Sequence, residues 1–448
     1  MTNRIKQYCL FLIAMIMLPI SAFSYTIELN GIYYNLNNET KEAEVTYGDW
    51  DLNVGGHEGR YNGDIAIPGS IEYQGAIYKV TSIGENAFRV CSSLNSVVIP
   101  NSVLSIGASA FSSCTKLSSI SLPQSVTSIG AHAFELCESL TSVTIPDGIT
   151  TINNGTFRVC TNLTSVSIPN SVKVIDSFAF ERCGSLASIS IPNSVTNIGF
   201  MAFSECNSLS SVIIPNSVTE IGGQAFQYCK GLTAVSLPNS LKSIGVGTFY
   251  DCTALTSVNI PNSITTIDGL FTGCASLSHI DIPNNITTIG MSTFSRCTSL
   301  SYICIPNSVY FIDDVAFEGC SNLTSIILGS GIQYICYGVF SNCNNIKDVY
   351  CYTKTVPNTI DDAFNGSYIE HATLHVPEES IGDYSARIPW KNFKSIVALT
   401  ASDPQPTGIR NMMELSNNKN NIYDLNGVRL SEPKKGINII NGKKYWVE

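Results

Sequence analysis

CESLTSVTIPDGITTINNGTFRV, residues 137 to 159, is one turn of the pattern that decides the fold. Leu140, Val143 and Ile145 make an L-x-x-V-x-I run whose end alternates apolar with polar residues, the period of a short strand with one buried face. Pro146 stops that strand, because a proline has no N–H to give a ladder, and the proline recurs from Pro100 through Pro306. The sheet is therefore confined to a narrow strip. Downstream, Ile149, Ile152 and Phe157 fit neither a long helix nor a strand, and Gly or Asn at the turns permits unusual backbone angles. This half is expected to be turns with a short helical segment.

The unit occurs twelve times, counted by Cys91, Cys114, Cys137, Cys160, Cys183, Cys206, Cys229, Cys252, Cys274, Cys297, Cys320 and Cys343, each preceded by Phe-x-x. Every interval is 23 residues except the 22 between Cys252 and Cys274. A fixed period of this length marks a solenoid. One unit cannot bury its own apolar side chains, whereas stacked units share a continuous core of Leu, Val, Ile and Phe. With neighbouring strands about 4.8 Å apart, the array spans roughly 55 Å.

The Leu-Thr-Ser-Val-Thr-Ile-Pro run, the Ser-Val-Thr-Ser-Ile-Gly run at 125 to 130 and the Ala-Phe-x-x-Cys ending resemble the BspA-type leucine-rich repeat. The resemblance covers roughly residues 65 to 400. It implies a right-handed repeat solenoid with a parallel β-sheet on the inner face, turns and short helical segments outside, and β-rich caps. It implies no catalytic residues and suggests adhesion to host proteins or other cells.

The ends read differently from the array. Arg4 and Lys6, an apolar stretch from Tyr8 to Ile20 and the exit Ser21-Ala22-Phe23-Ser24 read as a secretory signal peptide over 1–24. A membrane anchor is the alternative, although the stretch is short and Pro19 interrupts its end. No other segment is apolar enough to span a membrane. Residues 25–75 alternate aromatic and polar residues around Asn-Gly and Gly-Gly turns and are expected to cap the repeats of 76–343. Residues 344–400 keep fragments of the repeat, and His375-Val376-Pro377-Glu378-Glu379 with Trp390-Lys391-Asn392-Phe393 resembles the family's closing cap. ASDPQPTG, 401–408, reads as a linker to a small β tail, 409–448. That tail has hairpin signals at Asn426-Gly427 and Asn441-Gly442 and resembles C-terminal segments of secreted and surface proteins of the Bacteroidetes, where such tails often direct sorting. A plain β appendage is the other reading.

Sixteen cysteines in an exported chain first suggest disulfides. Twelve of them share one repeat position, so their side chains point the same way, which suits the near-perpendicular disulfide dihedral poorly. A ladder of buried free thiols filling space is expected instead. Off the ladder, Cys304 has outward parity in its strand and Cys351 inward parity, which argues against a bond between them; Cys336 also leaves the ladder. The repeats hold no C-x-x-C pair or adjacent Cys and His that would suit zinc. The five histidines, His57, His132, His279, His371 and His375, carry no motif that would make a neighbouring thiol a nucleophile. Neither a cofactor nor a metal is implied. A formal charge of -10, or -12 without Arg4 and Lys6, has no clustered basic patch for nucleic acid.

Positions beside the core residues point to the inner sheet face, the face through which binding is expected. They run Ser119 and Ser121, Ser142 and Thr144, Ser165 and Ser167 through most of the chain. They then change to His279 and Asp281, Tyr302 and Cys304, Ser325 and Ile327, Asp348 and Tyr350. His279, Asp281, Tyr302, Ile327, Asp348 and Tyr350 are the candidate contacts for a host extracellular or cell-surface protein or glycan, since aromatic and charged groups anchor partners. Drift toward a degenerate cap would produce the same change. Charged residues after the Phe, such as Arg158 and Glu181, read as solubility. The expected function is an exported, surface-displayed binding protein; a structural envelope or spacer protein is the alternative, and an enzyme built on Cys304 lacks a base.

Overall fold

The computed structural model describes residues 25–48 and 61–406, and the backbone of four further strands, Ile422–Tyr423, Arg429–Leu430, Gly436–Ile440 and Lys443–Val447. The leader expected at 1–24 and the turns expected at Asn426-Gly427 and Asn441-Gly442 lie outside the described residues. Two compact units divide at Pro406 and Thr407. In the second, the four short strands pair antiparallel.

The repeats stack as a parallel β-solenoid of leucine-rich-repeat type. Each coil contributes a strand from its L-x-x-V-x-I half, such as Ser142–Thr144, which pairs in register with Ser165–Ser167 of the next coil. Alternation buries Val143 and leaves Ser142 and Thr144 exposed. The other half differs from expectation. It holds a second column of two-residue strands, for example Thr151–Ile152, Val174–Ile175 and Asn197–Ile198, with no helix in the described repeats. A two-residue strand is too short to show a period in sequence, and only its stacked neighbours supply its ladder.

The remaining turn is tied to the following coil through the backbone. The N–H groups of Ser109, Phe111 and Ser113 donate to the carbonyls of Ala131, Ala133 and Glu135 at 2.8, 2.7 and 2.7 Å. Those of Ala110, Ser112 and Cys114 close the local turn. Left-handed residues at Ser109 (φ 52°) and Ser113 (φ 63°) accompany this division, and at Val90 and Val159 even β-branched residues adopt that conformation. Such geometry is unfavourable in isolation. Here each left-handed residue belongs to a turn whose alternate N–H groups are satisfied by the next coil.

Coils approach so closely at the Ile-Gly step that a Cβ on Gly222 would lie 2.5 Å from the Phe200 nitrogen. Inside, one phenylalanine per coil forms a stacked file: Phe203 lies 5.3 Å from both Phe180 and Phe226 with rings within 7° of parallel. The file ends edge-on against buried Trp390 of the C-terminal cap. All twelve ladder cysteines are free and buried. Each ladder thiol from Cys114 onward donates to the phenylalanine carbonyl of the preceding coil, as Cys206 does to Phe180 at 3.2 Å.

The charged residues after the Phe do more than solvate the surface. Arg158 joins three coils, bonding Glu135 at 2.9 Å and Glu181, with its guanidinium 5.9 Å from the Phe178 ring. Glu181 is buried, so this bridge compensates a desolvated carboxylate.

Both ends of the stack are closed. Ile27–Leu29, Ile32–Asn37 and Glu42–Thr46 form an antiparallel meander whose last strand runs parallel to Ala76–Ile83, and that strand starts the second column. Gly63–Ala66 starts the first column beside Leu94–Val98. Beyond Cys343 the first column continues through Asp348–Cys351, Thr373–Val376 and Ser395–Ala398, flanked by the short helix Ile381–Ala386.

Candidate partner-binding face

The first strand column sets the geometry of the candidate residues. Register aligns Cys304, Ile327, Tyr350, His375 and Val397 in one row across the strands, with Tyr302, Ser325, Asp348, Thr373 and Ser395 in the row beside it. Both rows have outward parity. In the earlier coils such residues meet solvent, Ile213 being 76% exposed.

In the C-terminal third they meet one another. The His375 imidazole Nε2 is 3.1 Å from Asp348 Oδ1, and its ring stacks on Tyr350 with centroids 4.3 Å apart. Aromatic packing and a carboxylate therefore hold this histidine in one orientation. Burial raises the Tyr350 phenol above its ordinary pKa, and the carboxylates of Asp348 and Asp403 add to that. His279 and Asp281 form a separate pair, Nε2 to Oδ1 at 2.8 Å. Tyr302 is half-buried beside Cys304 on the same strand, Tyr302–Ile305.

Ile327 corrects the expectation. It is fully buried and cannot serve as an exposed contact. The expected linker explains it, because the described part of that linker folds onto the sheet. Tyr352 Oη donates to the Pro404 carbonyl at 3.1 Å, Gln405 Nε2 donates to Tyr352 Oη at 3.1 Å, and Cys304 Sγ lies 3.9 Å from the Gln405 carbonyl. Cys304 and Tyr350 are the register neighbours of Ile327 on either side, so the bonds of the segment to Cys304 and Tyr352 bracket it. Pro406 is itself buried.

Of the sequence candidates, Asp348 and Tyr350 are joined in one cluster, His279 and Asp281 form a pair of their own, and Ile327 lies underneath. His375 and Tyr352 were missed. Both were legible: Tyr352 shares the parity of Tyr350, and His375 sits in the alternation Thr-Leu-His-Val of residues 373–376. The docking of 403–406 had no sequence signal.

The buried thiols and Cys336 offer little reactivity. Burial pushes Cys91 up to about 11 and Cys229 and Cys297 up to about 12. Cys351 is buried against Tyr384 Oη at 3.2 Å. Cys336 groups with Asp313 and Asp314, but burial and the two carboxylates raise its pKa, the reverse of what activates a nucleophile. Asp314 Oδ1 already accepts the Tyr337 N–H at 2.9 Å and Asp313 Oδ1 that of Asp314 at 2.8 Å, so both carboxylates serve the turns.

Among the described residues no helix is long and apolar enough to cross a membrane. No curated protein matches the sequence. Solved structures do. A leucine-rich repeat protein from Bacteroides ovatus is 27% identical with a TM-score of 0.58, over 79% of this chain and 100% of that one. A leucine rich cell surface protein from Faecalibacterium prausnitzii is 25% identical with a TM-score of 0.51, over 84% and 95%. The pneumococcal vaccine antigen PcpA, at 17% identity and a TM-score of 0.53 over 84% and 98%, shares the fold. The family model for the BspA type leucine rich repeat region matches residues 81–207, 173–270 and 268–387. Its matches run through nearly the whole repeat array and past the last ladder cysteine, and the chain accordingly belongs to the BspA-type leucine-rich repeat family.

Proposed function

We propose that this protein is an exported, surface-displayed binding protein that contacts a host extracellular macromolecule through the first strand column near its C-terminal end. The observation that carries the reading is the Asp348, Tyr350 and His375 cluster: charged and aromatic groups held in place on a sheet face that in the earlier coils presents mostly small hydroxyl residues. Preorganised aromatic and charged groups are what anchor partners at little ordering cost. A leucine-rich scaffold without an inserted loop offers a repeated surface rather than a catalytic pocket, which favours binding over chemistry. The cell-surface designation of the Faecalibacterium relative and the leader-like residues 1–24 support export. We read residues 401–408 as a connection to a tail that carries a sorting role.

The test is capture of host matrix proteins and glycans on an array by residues 25–448, beside the variant His279→Ala/Tyr302→Ala/Tyr350→Ala with its fold checked by circular dichroism. Saturable binding lost in the variant supports the face. Binding that survives moves the site elsewhere. An array without hits, joined to self-association or envelope retention, favours a structural spacer.

A further inference from the structure

The segment 403–406 crosses the strands of the first column instead of continuing them. Its attachment is made by side chains of the sheet to carbonyls of the segment, Tyr352 Oη to Pro404 and Cys304 Sγ to Gln405, and by the Gln405 side chain, which donates to Tyr352 Oη. Two of its four residues are prolines, which bring no N–H to satisfy. Such a chain can lie on a sheet face, where no ladder is available, without leaving buried donors unpaired. It also enters at low entropic cost, because proline-containing segments are extended beforehand. The receiving surface fits this chemistry, with the aromatic rings of Tyr350 and Tyr352 beside an apolar floor at Ile327. Grooves lined by aromatic residues recognise proline-rich peptides in this manner.

We propose that this patch is a recognition groove for an extended Pro-x-Pro peptide, and that Asp403–Pro406 is a resident copy that a partner's segment replaces. The proposal rests on the reading of this face as the contact surface, and narrows the partner there to a protein with an exposed proline-containing stretch. The groove is already shaped for its ligand, and the resident segment sets a threshold that a partner must exceed. A tethered competitor acts at an effective concentration of roughly millimolar, so it masks weaker peptides and admits stronger or multivalent ones.

The experiment uses residues 25–448 and a fluorescent peptide with the sequence of residues 400–406, TASDPQP, beside a control peptide with both prolines changed to alanine. Anisotropy is read on the unaltered chain, on Pro404→Ala/Pro406→Ala, and on that variant with Tyr352→Phe added. The expected result is binding to the Pro404→Ala/Pro406→Ala variant at least about tenfold tighter than to the unaltered chain. The control peptide should not bind, and Tyr352→Phe should weaken binding by at least about threefold, because the hydroxyl that meets both the Pro404 carbonyl and the Gln405 amide is lost. Alkylation of Cys304 in a Cys336→Ser background gives a second readout: faster when the prolines are removed, slowed again by saturating peptide. Failure of the peptide to bind the folded proline variant, equal binding of both peptides, or an unchanged Cys304 rate would overturn the proposal. If array capture persists while the peptide binds nothing, the contact face stands and the peptide class falls. If the peptide binds and the array is empty, the groove stands and the host-partner reading falls.

Discussion

Removing one ring from the phenylalanine file tests how the solenoid is held together. Phe203 is fully buried between Phe180 and Phe226, and Phe203→Ala deletes the ring while leaving the backbone carbonyl that accepts the Cys229 thiol at 3.1 Å. Truncating a buried phenylalanine costs about 3–5 kcal/mol through lost transfer energy and the cavity left behind. Each parallel ring contact adds about 0.5–1.5 kcal/mol beyond area, and two are lost, so a cost near the top of that range, about 5 kcal/mol, is expected. Because a solenoid is coupled only through neighbouring coils, the loss falls on two adjacent interfaces. Denaturant unfolding followed by far-ultraviolet circular dichroism should therefore separate into two transitions. Hydrogen exchange should locate the first opening around residues 180–226. Phe200→Ala is the control: this ring is 41% exposed, touches Phe178 edge-on, and should cost less than about 1 kcal/mol. Equal costs for the two variants, or a single undisturbed transition in Phe203→Ala, would refute the idea that the stacked file couples the coils.

The buried thiols predict a pH dependence. Burial raises the pKa values of thiols such as Cys91, Cys229 and Cys297 in the fold, so these stay protonated there while the unfolded chain ionises above the ordinary value of 9.0. Stability is then complete below about pH 9 and falls as pH climbs toward about 12, by about 1.4 kcal/mol per pH unit for each such thiol. A urea midpoint, measured with reductant present, that stays level from about pH 8 to about pH 11 would contradict this. Ile327→Ala should destabilise by about 2–4 kcal/mol and Ile213→Ala by less than about 0.5 kcal/mol, although both isoleucines occupy the same repeat position. Thermal unfolding of the pair decides it, similar losses showing that 403–406 does not cover Ile327. For the charged ladder, a double-mutant cycle of Arg158→Ala and Glu181→Gln should show coupling of about 1 kcal/mol that shrinks with added salt. Zero coupling at low salt would return these residues to a purely solvating role.

The sequence by itself determined the repeat, its period, the strand in each coil and which residues face the core. Each follows from a pattern of apolar residues that recurs in register, as Leu140, Val143 and Phe157 do within a single coil. It also pointed to the stretch of sheet where the surface changes character. Only the tertiary structure decided three things. The second strand column comes from two-residue segments such as Thr151–Ile152, whose partners lie a whole coil away. The left-handed turns fall on Val90, Leu136 and Val159 as well as on glycine, because the hydrogen bonds of the adjoining coil, not the residue type, favour that geometry. The burial of Ile327 against the exposure of Ile213 depends on a segment that returns across about a hundred residues of chain to reach Cys304, a long-range contact that leaves no local period behind.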